Sequence, residues 1–331
     1  MTSHSRVSIT ESTQVGQARR LATSVAESTG LDETTRGRVA IIATEMGNNL
    51  VRHAGGGELL IRSIPDGGIE LLSLDKGPGI ESISQSMQDG FSTAGTRGAG
   101  LGAIRRLSEV FEIYSRPGSG TAMLAQCFSQ ARVNVPRDNT ASIGGVNVPV
   151  RGEEVCGDAW TFARLQDGTV TVMVADGLGH GTMAAEAAVE AVRIFGEVPG
   201  SAPGEVLHRI HLGLKKTRGA AVAIAEVVPA RNELRFAGLG NIGGVIVAPN
   251  GSRNLVSHNG TAGHDVRKIQ EFKYEWNSPG MLVMYSDGVT RHWDMEKYPG
   301  LFTKHPTLIA GVLYRDCNRG RDDATVVVLR A

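Results

Sequence analysis

Cysteine is scarce, with three in 331 residues, at positions 127, 156 and 317. An odd, widely spaced set supports no disulfide framework and no CxxC metal knuckle, and it fits a reducing cytoplasm. Neither sign of charge is in surplus, because 34 Lys and Arg balance 34 Asp and Glu. No basic field therefore invites nucleic acid, and no acidic tail appears. Long apolar runs are missing as well. The stretch "MLVMY" at 281–285 is far too short to span a bilayer. The opening "MTSHSRVSITESTQ" lacks the apolar core of a signal peptide. These absences predict a cytoplasmic protein that engages neither nucleic acid nor membrane.

What is present suffices for globular cores: 41% of residues are hydrophobic, and the length suggests two domains. Val15, Ala18, Leu21, Ala22 and Val25 recur at helical spacing over 12–28. Asp32 can cap a second helix that runs to about Ala54. "ELLIRSI" and "GIELLSL" read as strands joined by a "PDGG" turn. A polar, glycine-rich segment covers about 76–100. A helix near 101–110, the strand "FEIYSR", a "PGSG" turn and the strand "TAMLAQCF" complete a domain spanning 1–130. Residues 131–142 are polar and unpatterned, which suggests a linker. The domain at 143–331 opens with strands such as "GTVTVMVADG" and the small-residue helix "GTMAAEAAVEAVRIFGE". The strands "AAVAIAEVV", "ELRFAGL", "GGVIVA", "GMLVMYSDG" and "ATVVVLR" follow, and the mixture predicts an α+β sandwich.

The stretch "GTRGAGLG", Gly95 to Gly102, holds four glycines in eight residues. A dinucleotide fingerprint is excluded by the polar "QSMQDGFST" before it, where a strand is required, and by the spacing Gly98, Gly100, Gly102. A Walker A loop is excluded because Leu101 stands where its Lys would be. A third nucleotide architecture fits the surroundings. In "ATEMGNNLVRHA", Glu45 and Asn49 are four apart and share a helix face beside Ile42, Met46 and Leu50. "DKGPGI" supplies Asp75, Gly77 and Gly79, bare backbone that a flat ring can approach. The glycine loop then opens a helix whose backbone N–H groups can hold phosphates, and "GSGTAM" brings Thr121.

This ordered set, over about residues 10–128, resembles the GHKL ATPase family, and within it the serine protein kinases of the RsbT/RsbW anti-sigma switch. The resemblance implies ATP with Mg²⁺ as cofactor. It assigns Asn49 to the metal and Glu45 to the role of base toward the acceptor hydroxyl. Asp75 would accept from the adenine amino group, with Gly77 and Gly79 lining the ring. Gly98, Gly100, Leu101 and Gly102 would wrap the phosphates, with Arg52 near phosphate and Thr121 near adenine.

In the second domain four segments place acids at strand ends or turns: "VCGDAW" (Asp158), "VADGLGHG" (Asp176), "YSDGV" (Asp287) and "RDDATVVVL" (Asp322, Asp323). Two carboxylates about 4 Å apart repel by roughly 1 kcal/mol in water and by more in a cleft. Converging acids therefore need cations, and hard oxygen ligands suit Mg²⁺ or Mn²⁺. The pattern resembles the metal-dependent type 2C (PPM) protein phosphatases of the SpoIIE/RsbX branch. That resemblance implies two Mn²⁺ or Mg²⁺ held by Asp158, Asp176, the Gly177 carbonyl, Asp287 and Asp322, with Asp323 as second choice. His180 is offset from the family's Asp-Gly-His-Gly and stands as a candidate proton donor. Cys156 occupies a frequent glycine position and reads as a small buried residue.

Together the resemblances imply an α+β chain, a two-layer α/β sandwich (Bergerat ATP-binding fold) followed by an α-β-β-α phosphatase sandwich. The expected function is a switch that phosphorylates and dephosphorylates Ser or Thr on a STAS-domain anti-sigma antagonist or stressosome phosphoprotein, with a sigma factor as a further partner. The alternative makes the first domain a nucleotide-dependent anti-sigma or STAS-binding module with little kinase activity.

Overall fold

The computed structural model describes residues 3–65, 67–87, 100–129, 142–249 and 251–330. The chain divides into two compact units, Thr2–Arg137 and Asp138–Ala331. The proposed linker lies outside the described residues except for Ser142, which already begins a strand.

The first unit runs β1 (Ser5–Ile9), α1 (Ser12–Ser28), α2 (Glu33–Asn49), β2 (Gly57–Ile64), β3 (Gly68–Leu74), α3 (Ile83–Ser86), α4 (Gly100–Leu107), β4 (Val110–Ser115) and β5 (Thr121–Phe128). Its antiparallel sheet has the order β1-β2-β3-β5-β4. The Asp32 carboxylate accepts the Thr35 N–H at 2.9 Å and so caps α2 as the sequence predicts. Alternate strand residues Leu59, Ile61, Ile69, Leu71, Met123 and Ala125 pack against Ala18 and Ala22 of α1, Ile42 and Met46 of α2, and Ile104 of α4. That layer of helices on one sheet face is the expected two-layer sandwich. On the other face Glu70 is buried with Arg62, His4 and Gln126. Burial alone would raise the Glu70 carboxyl; the Arg62 guanidinium, His4 and the Gln126 amide outweigh it and hold it well below the usual range.

Two local features differ from the sequence reading. Helix α2 stops at Asn49, and Leu50–Ala54 winds on as a wider π-helical turn that ends at the left-handed Gly55 (φ 71°). The helix expected near 101–110 ends at Leu107, because β4 begins at Val110 to pair with β5.

The second unit runs β6 (Ser142–Val148), β7 (Asp158–Arg164), β8 (Val170–Gly177), α5 (Thr182–Gly196), α6 (Pro203–Gly213), β9 (Ala220–Val228), β10 (Glu233–Leu239), β11 (Gly243–Ala248), β12 (Gly251–Asn254), β13 (Glu271–Glu275), β14 (Met281–Tyr285), α7 (Pro306–Cys317) and β15 (Ala324–Arg330). Two five-stranded sheets form, β13-β10-β9-β8-β7 and β12-β11-β14-β15-β6. Between them lies a core of Trp160, Val172, Val174, Ala225 and Phe236 from one sheet and Leu282, Met284, Val327 and Leu329 from the other. Helices α5 and α6 cover the first sheet with Ala187, Ala191, Leu207 and Ile210 against Met173, Val222 and Ile224. On the second sheet α7 packs over β6 and β15. It comes so close that a Cβ on Gly144 of β6 would strike Thr307. The layers are therefore α-β-β-α, as expected. Among the described residues no helix is long and apolar enough to cross a membrane.

Candidate active sites

In the first unit the end of α2 meets the loops after β3 and before β5. Gly77 abuts the π-helical turn: a Cβ there would lie 2.6 Å from Ala54 Cα. Gly79 is left-handed (φ 74°), and any side chain there would strike the Arg116 carbonyl oxygen. Asp75 is buried at the end of β3. Its Oδ1 accepts the Gly77 N–H at 2.8 Å and the Thr121 N–H at 3.1 Å, which fixes the carboxylate. Thr121 is also buried, with its Oγ1 2.9 Å from Ser115 Oγ. Gly100 opens α4 directly against α2, and a Cβ there would sit 2.9 Å from Glu45 Oε2 and 3.8 Å from Asn49 Oδ1. Beside it Leu101 packs partly on the core, and Gly102 is buried. Arg52 is exposed on the π-helical turn. Gly98 lies outside the described residues.

The second site forms where the two sheets of the second unit end together. Asp158 opens β7 and Asp176 nearly closes β8, and the two are direct partners across the antiparallel ladder. Facing residues in such a pair share one side of the sheet. Trp160 and Val174 on the same strands point into the core between the sheets, so by the period of two both acids face the second sheet. That sheet contributes Asp287 just after β14 and Asp322 and Asp323 just before β15. Ser286 links the sheets. Fully buried, its Oγ donates to Asp158 Oδ2 at 2.6 Å and accepts the Thr325 N–H at 2.9 Å. Asn147 of β6 adds a second link, donating to the Asp158 carbonyl at 3.0 Å and to Thr325 Oγ1 at 2.9 Å.

Burial, then Asp158, Asp287, Asp322 and Asp323 in turn, raise the Asp176 carboxyl. Asp158 is raised by burial against the opposing hydrogen bonds from Ser286 and Thr325. These acids thus sense one another as unbalanced charge. Asp323 has both oxygens occupied, accepting the Val150 N–H at 2.7 Å and the Gly157 N–H at 2.7 Å. It therefore pins the loop between β6 and β7. Asp322 accepts the Asp323 N–H at 2.9 Å, and Asp287 accepts from the Asn241 amide at 2.6 Å. Gly177 lies so tightly under α5 that a Cβ would strike the Ala184 carbonyl oxygen.

Residues 10–126 match the histidine kinase-like ATPase domain. Residues 166–331, half of the chain, match the family of Stage II sporulation protein E (SpoIIE). The chain belongs to the SpoIIE family. Its first unit belongs with the serine/threonine-protein kinase RsbT of Bacillus subtilis (strain 168), to which it is 34% identical over 128 residues, 38% of this chain and 96% of that protein. The phosphoserine phosphatase RsbX of the same organism is 25% identical over 100 residues, 30% of this chain, which spans half of that protein. Among solved structures, RsbX in complex with magnesium superposes with a TM-score of 0.52 at 18% identity, covering 60% of this chain and 98% of that one. A bacterial stressosome structure gives a TM-score of 0.53 at 23% identity, covering 58% and 100%. The SpoIIE phosphatase domain with a fragment of its regulatory domain, from Bacillus subtilis, gives 0.50 at 18% identity, covering 97% of each. These three superpositions show the shared fold.

The chain is thus a type 2C serine/threonine phosphatase joined to an RsbT-like kinase unit, which implies nucleotide use in the first unit and divalent metal in the second. The chemistry of the donors suits both groups. In the SpoIIE-family unit, hard carboxylate oxygens from two sheets raise one another's affinity for protons, so the cluster suits a cation. Among the described residues, no group of three or more His, Cys, Asp or Glu is drawn together into a ready metal cage. In the RsbT-like unit the Asn49 side-chain nitrogen is buried and, among the described residues, has no hydrogen-bond partner; the bare backbone of Gly100 stands close to the same side chain. An orphaned polar group there suits a polar ligand.

Sequence reasoning passed over Ser286 and Asn147, which hold Asp158, and Glu153, which stands 2.8 Å from His180 Nδ1. Ser286 directly precedes Asp287 and was within reach of the motif; Asn147 and Glu153 carry no local signal. Cys156 is buried as expected. Burial first, then Asp158 and Asp323, push its thiol far above the usual range, which keeps it protonated and unreactive.

Proposed function

We propose that the chain is a two-enzyme switch acting on one class of partner, a STAS-domain protein of an anti-sigma or stressosome pathway. In the first unit Glu45 accepts the proton of a Ser or Thr hydroxyl as its oxygen attacks the γ-phosphorus of ATP, and ADP leaves. Asn49 holds Mg²⁺, and Asp75, Gly77, Gly79 and Thr121 receive the adenine. Gly98, Gly100, Leu101 and Gly102 wrap the phosphates, with Arg52 at their edge. Glu45 beside Gly100 supports this reading, since a phosphate-wrapping backbone belongs next to the base.

In the second unit Asp158, Asp176, the Gly177 carbonyl, Asp287 and Asp322 hold two Mn²⁺ or Mg²⁺. When bound, the ions supply Lewis acidity that activates a water and offsets phosphoryl charge. The protein's part is to aim the acids: Ser286 sets Asp158, and Asp323 holds the loop over the cleft. The facing pair Asp158 and Asp176, met by Asp287 and Asp322 from the opposite sheet, is the observation that carries the reading.

The test follows one phosphosite. Candidate STAS proteins are incubated with ATP and Mg²⁺, then with Mn²⁺, beside an Asp176→Ala control. The expected result is a site phosphorylated by the first unit and cleared by the second, with clearance lost in the control. A site that is made and never removed sinks the shared-substrate reading. Complex formation with no phosphotransfer at all would favour a nucleotide-dependent binding module.

A further inference from the structure

Ser115 closes β4 and is the ladder partner of Thr121, which opens β5. Two residues inward on the same strands, Ile113 and Met123 belong to the core beneath the helices. By the period of two, Ser115 and Thr121 face that same layer. Thr121 is in turn tied to Asp75 by two bonds. Its N–H donates to Asp75 Oδ1 at 3.1 Å, and its carbonyl accepts the Asp75 N–H at 2.9 Å. Ser115 therefore stands one residue away from the carboxylate assigned to the base, although none of the proposed nucleotide contacts uses it.

The Ser115 hydroxyl has one proton and two lone pairs, and it meets three partners. It accepts the Ile80 N–H at 2.8 Å, donates to the Gly120 carbonyl at 3.1 Å and lies 2.9 Å from Thr121 Oγ1. An amide N–H can only donate, and a carbonyl can only accept. All three bonds form together in one way: Ser115 gives its proton to Gly120 and accepts from both Ile80 and Thr121. The Thr121 proton is then spent on Ser115, and Thr121 Oγ1 has only lone pairs to offer a ligand. The surroundings hold these partners in place. Gly120 is left-handed (φ 76°), and a Cβ there would strike the Asp75 carbonyl oxygen. The segment that carries Ile80 is stitched to the same turn, where the Gly118 N–H donates to the Pro78 carbonyl at 2.7 Å.

A carboxylate likewise accepts and does not donate. Asp75 and Thr121 together thus present acceptors, which suit a base that carries an amino group and repel one that carries a carbonyl oxygen. We propose that Ser115 is a positioning residue for base selection. It holds the Thr121 hydroxyl proton away from the nucleotide, so the site takes a 6-aminopurine and turns away a 6-oxopurine. Asp75 supplies part of that preference by itself, and Ser115 adds to it through Thr121. The assignment rests on the reading of the first unit as a nucleotide site with its base at Asp75 and Thr121.

The test titrates the full chain, with Mg²⁺, against ATP and against inosine triphosphate, which carries an oxygen where ATP carries the amino group. The readout is the ratio of the two dissociation constants. The wild type should favour ATP by about a hundredfold or more. Ser115→Ala frees the Thr121 proton to turn toward a 6-oxo group, and the ratio should shrink by about tenfold. Ser115→Thr, which keeps the hydroxyl, should restore it. Thr121→Val leaves Ser115 in place and should shrink the ratio to the same extent, and adding Ser115→Ala to it should change the ratio no further. A merely structural Ser115 would weaken both nucleotides in proportion, so a Ser115→Ala ratio within about twofold of wild type overturns the assignment. A Thr121→Val ratio equal to that of the wild type overturns it too, as does a wild type that binds the two nucleotides alike. A wild type that binds neither removes the underlying nucleotide reading, and this assignment with it.

Discussion

Ser286 and Asp158 belong to different sheets, and the Ser286 hydroxyl donates to Asp158 Oδ2 at 2.6 Å inside the sandwich. The same oxygen accepts the Thr325 N–H, so one hydroxyl ties β14, β15 and β7 at the end where the acids meet. Ser286→Ala leaves a buried acceptor and a buried donor without partners. It should destabilise the second unit by about 1–3 kcal/mol and weaken Mn²⁺ binding by about tenfold to a hundredfold, as loss of a ligand-orienting hydrogen bond does. Denaturant unfolding and calorimetric titration measure the two effects.

The fold resists charge on Asp176. Its carboxyl is raised by burial and by four neighbouring acids, so ionisation at neutral pH costs folding free energy. That cost is absent at low pH and grows as pH rises past the unfolded value of about 3.9. Asp176→Asn should therefore stabilise the metal-free protein by about 1 kcal/mol, a rise of roughly 2–4 °C in the melting temperature of the unit. Phosphatase activity should vanish in the same variant. Stabilisation with loss of function is the signature of a site built against stability.

Adding metal should reverse the sign. Mn²⁺ at about 100 times its dissociation constant should stabilise the wild-type second unit by roughly 2.7 kcal/mol, and EDTA should remove that gain. Thermal scans with and without chelator check it, and Asp176→Asn should show little response.

Glu70 gives the first unit an acid sensitivity of the other kind. Its folded carboxyl ionises below the unfolded value of about 4.3, so its stabilisation is complete above that pH and drains away as pH falls toward the folded value. Glu70→Gln should cost about 3 kcal/mol at pH 7, because it breaks the buried ion pair with Arg62. It should also flatten the stability profile below about pH 4. Hydrogen exchange at the β3 amides reads this unit separately from the other.

Gly77 tests the nucleotide site. A methyl group there meets Ala54 Cα at 2.6 Å, a backbone contact that no rotamer can relieve. Gly77→Ala should strain the π-helical turn by about 1–3 kcal/mol and weaken adenine-nucleotide binding. Glu45→Gln should instead spare nucleotide binding and abolish phosphotransfer. Fluorescent-nucleotide titration distinguishes the two.

Much of this arrangement was legible in the sequence, and what was hidden has physical reasons. Helix α1, with its amphipathic period, fell where the pattern placed it, and α2 begins at the expected Asp32 cap but gives way to the π-helical turn at Leu50 rather than running to Ala54. Helix α7 went unread because nearly all of it is buried, from Pro306 to Cys317, so its sequence shows no polar face. Strand β1 was passed over although Val7 and Ile9 alternate inward, since five residues give little periodicity. At the phosphatase cleft the acids announced themselves through Asp-Gly at strand ends. Only the fold shows both Asp323 oxygens engaged by the Val150 and Gly157 N–H groups, which favours Asp322 as the proposed ligand.

The most direct measurement is calorimetric titration of the purified chain, once with Mn²⁺ and once with an adenine nucleotide and Mg²⁺, on the wild type and on Asp176→Ala. The account predicts that the wild type takes up both. It predicts that Asp176→Ala loses manganese uptake and keeps nucleotide uptake. A wild type that binds no manganese, or a substitution that leaves manganese binding intact, would contradict it.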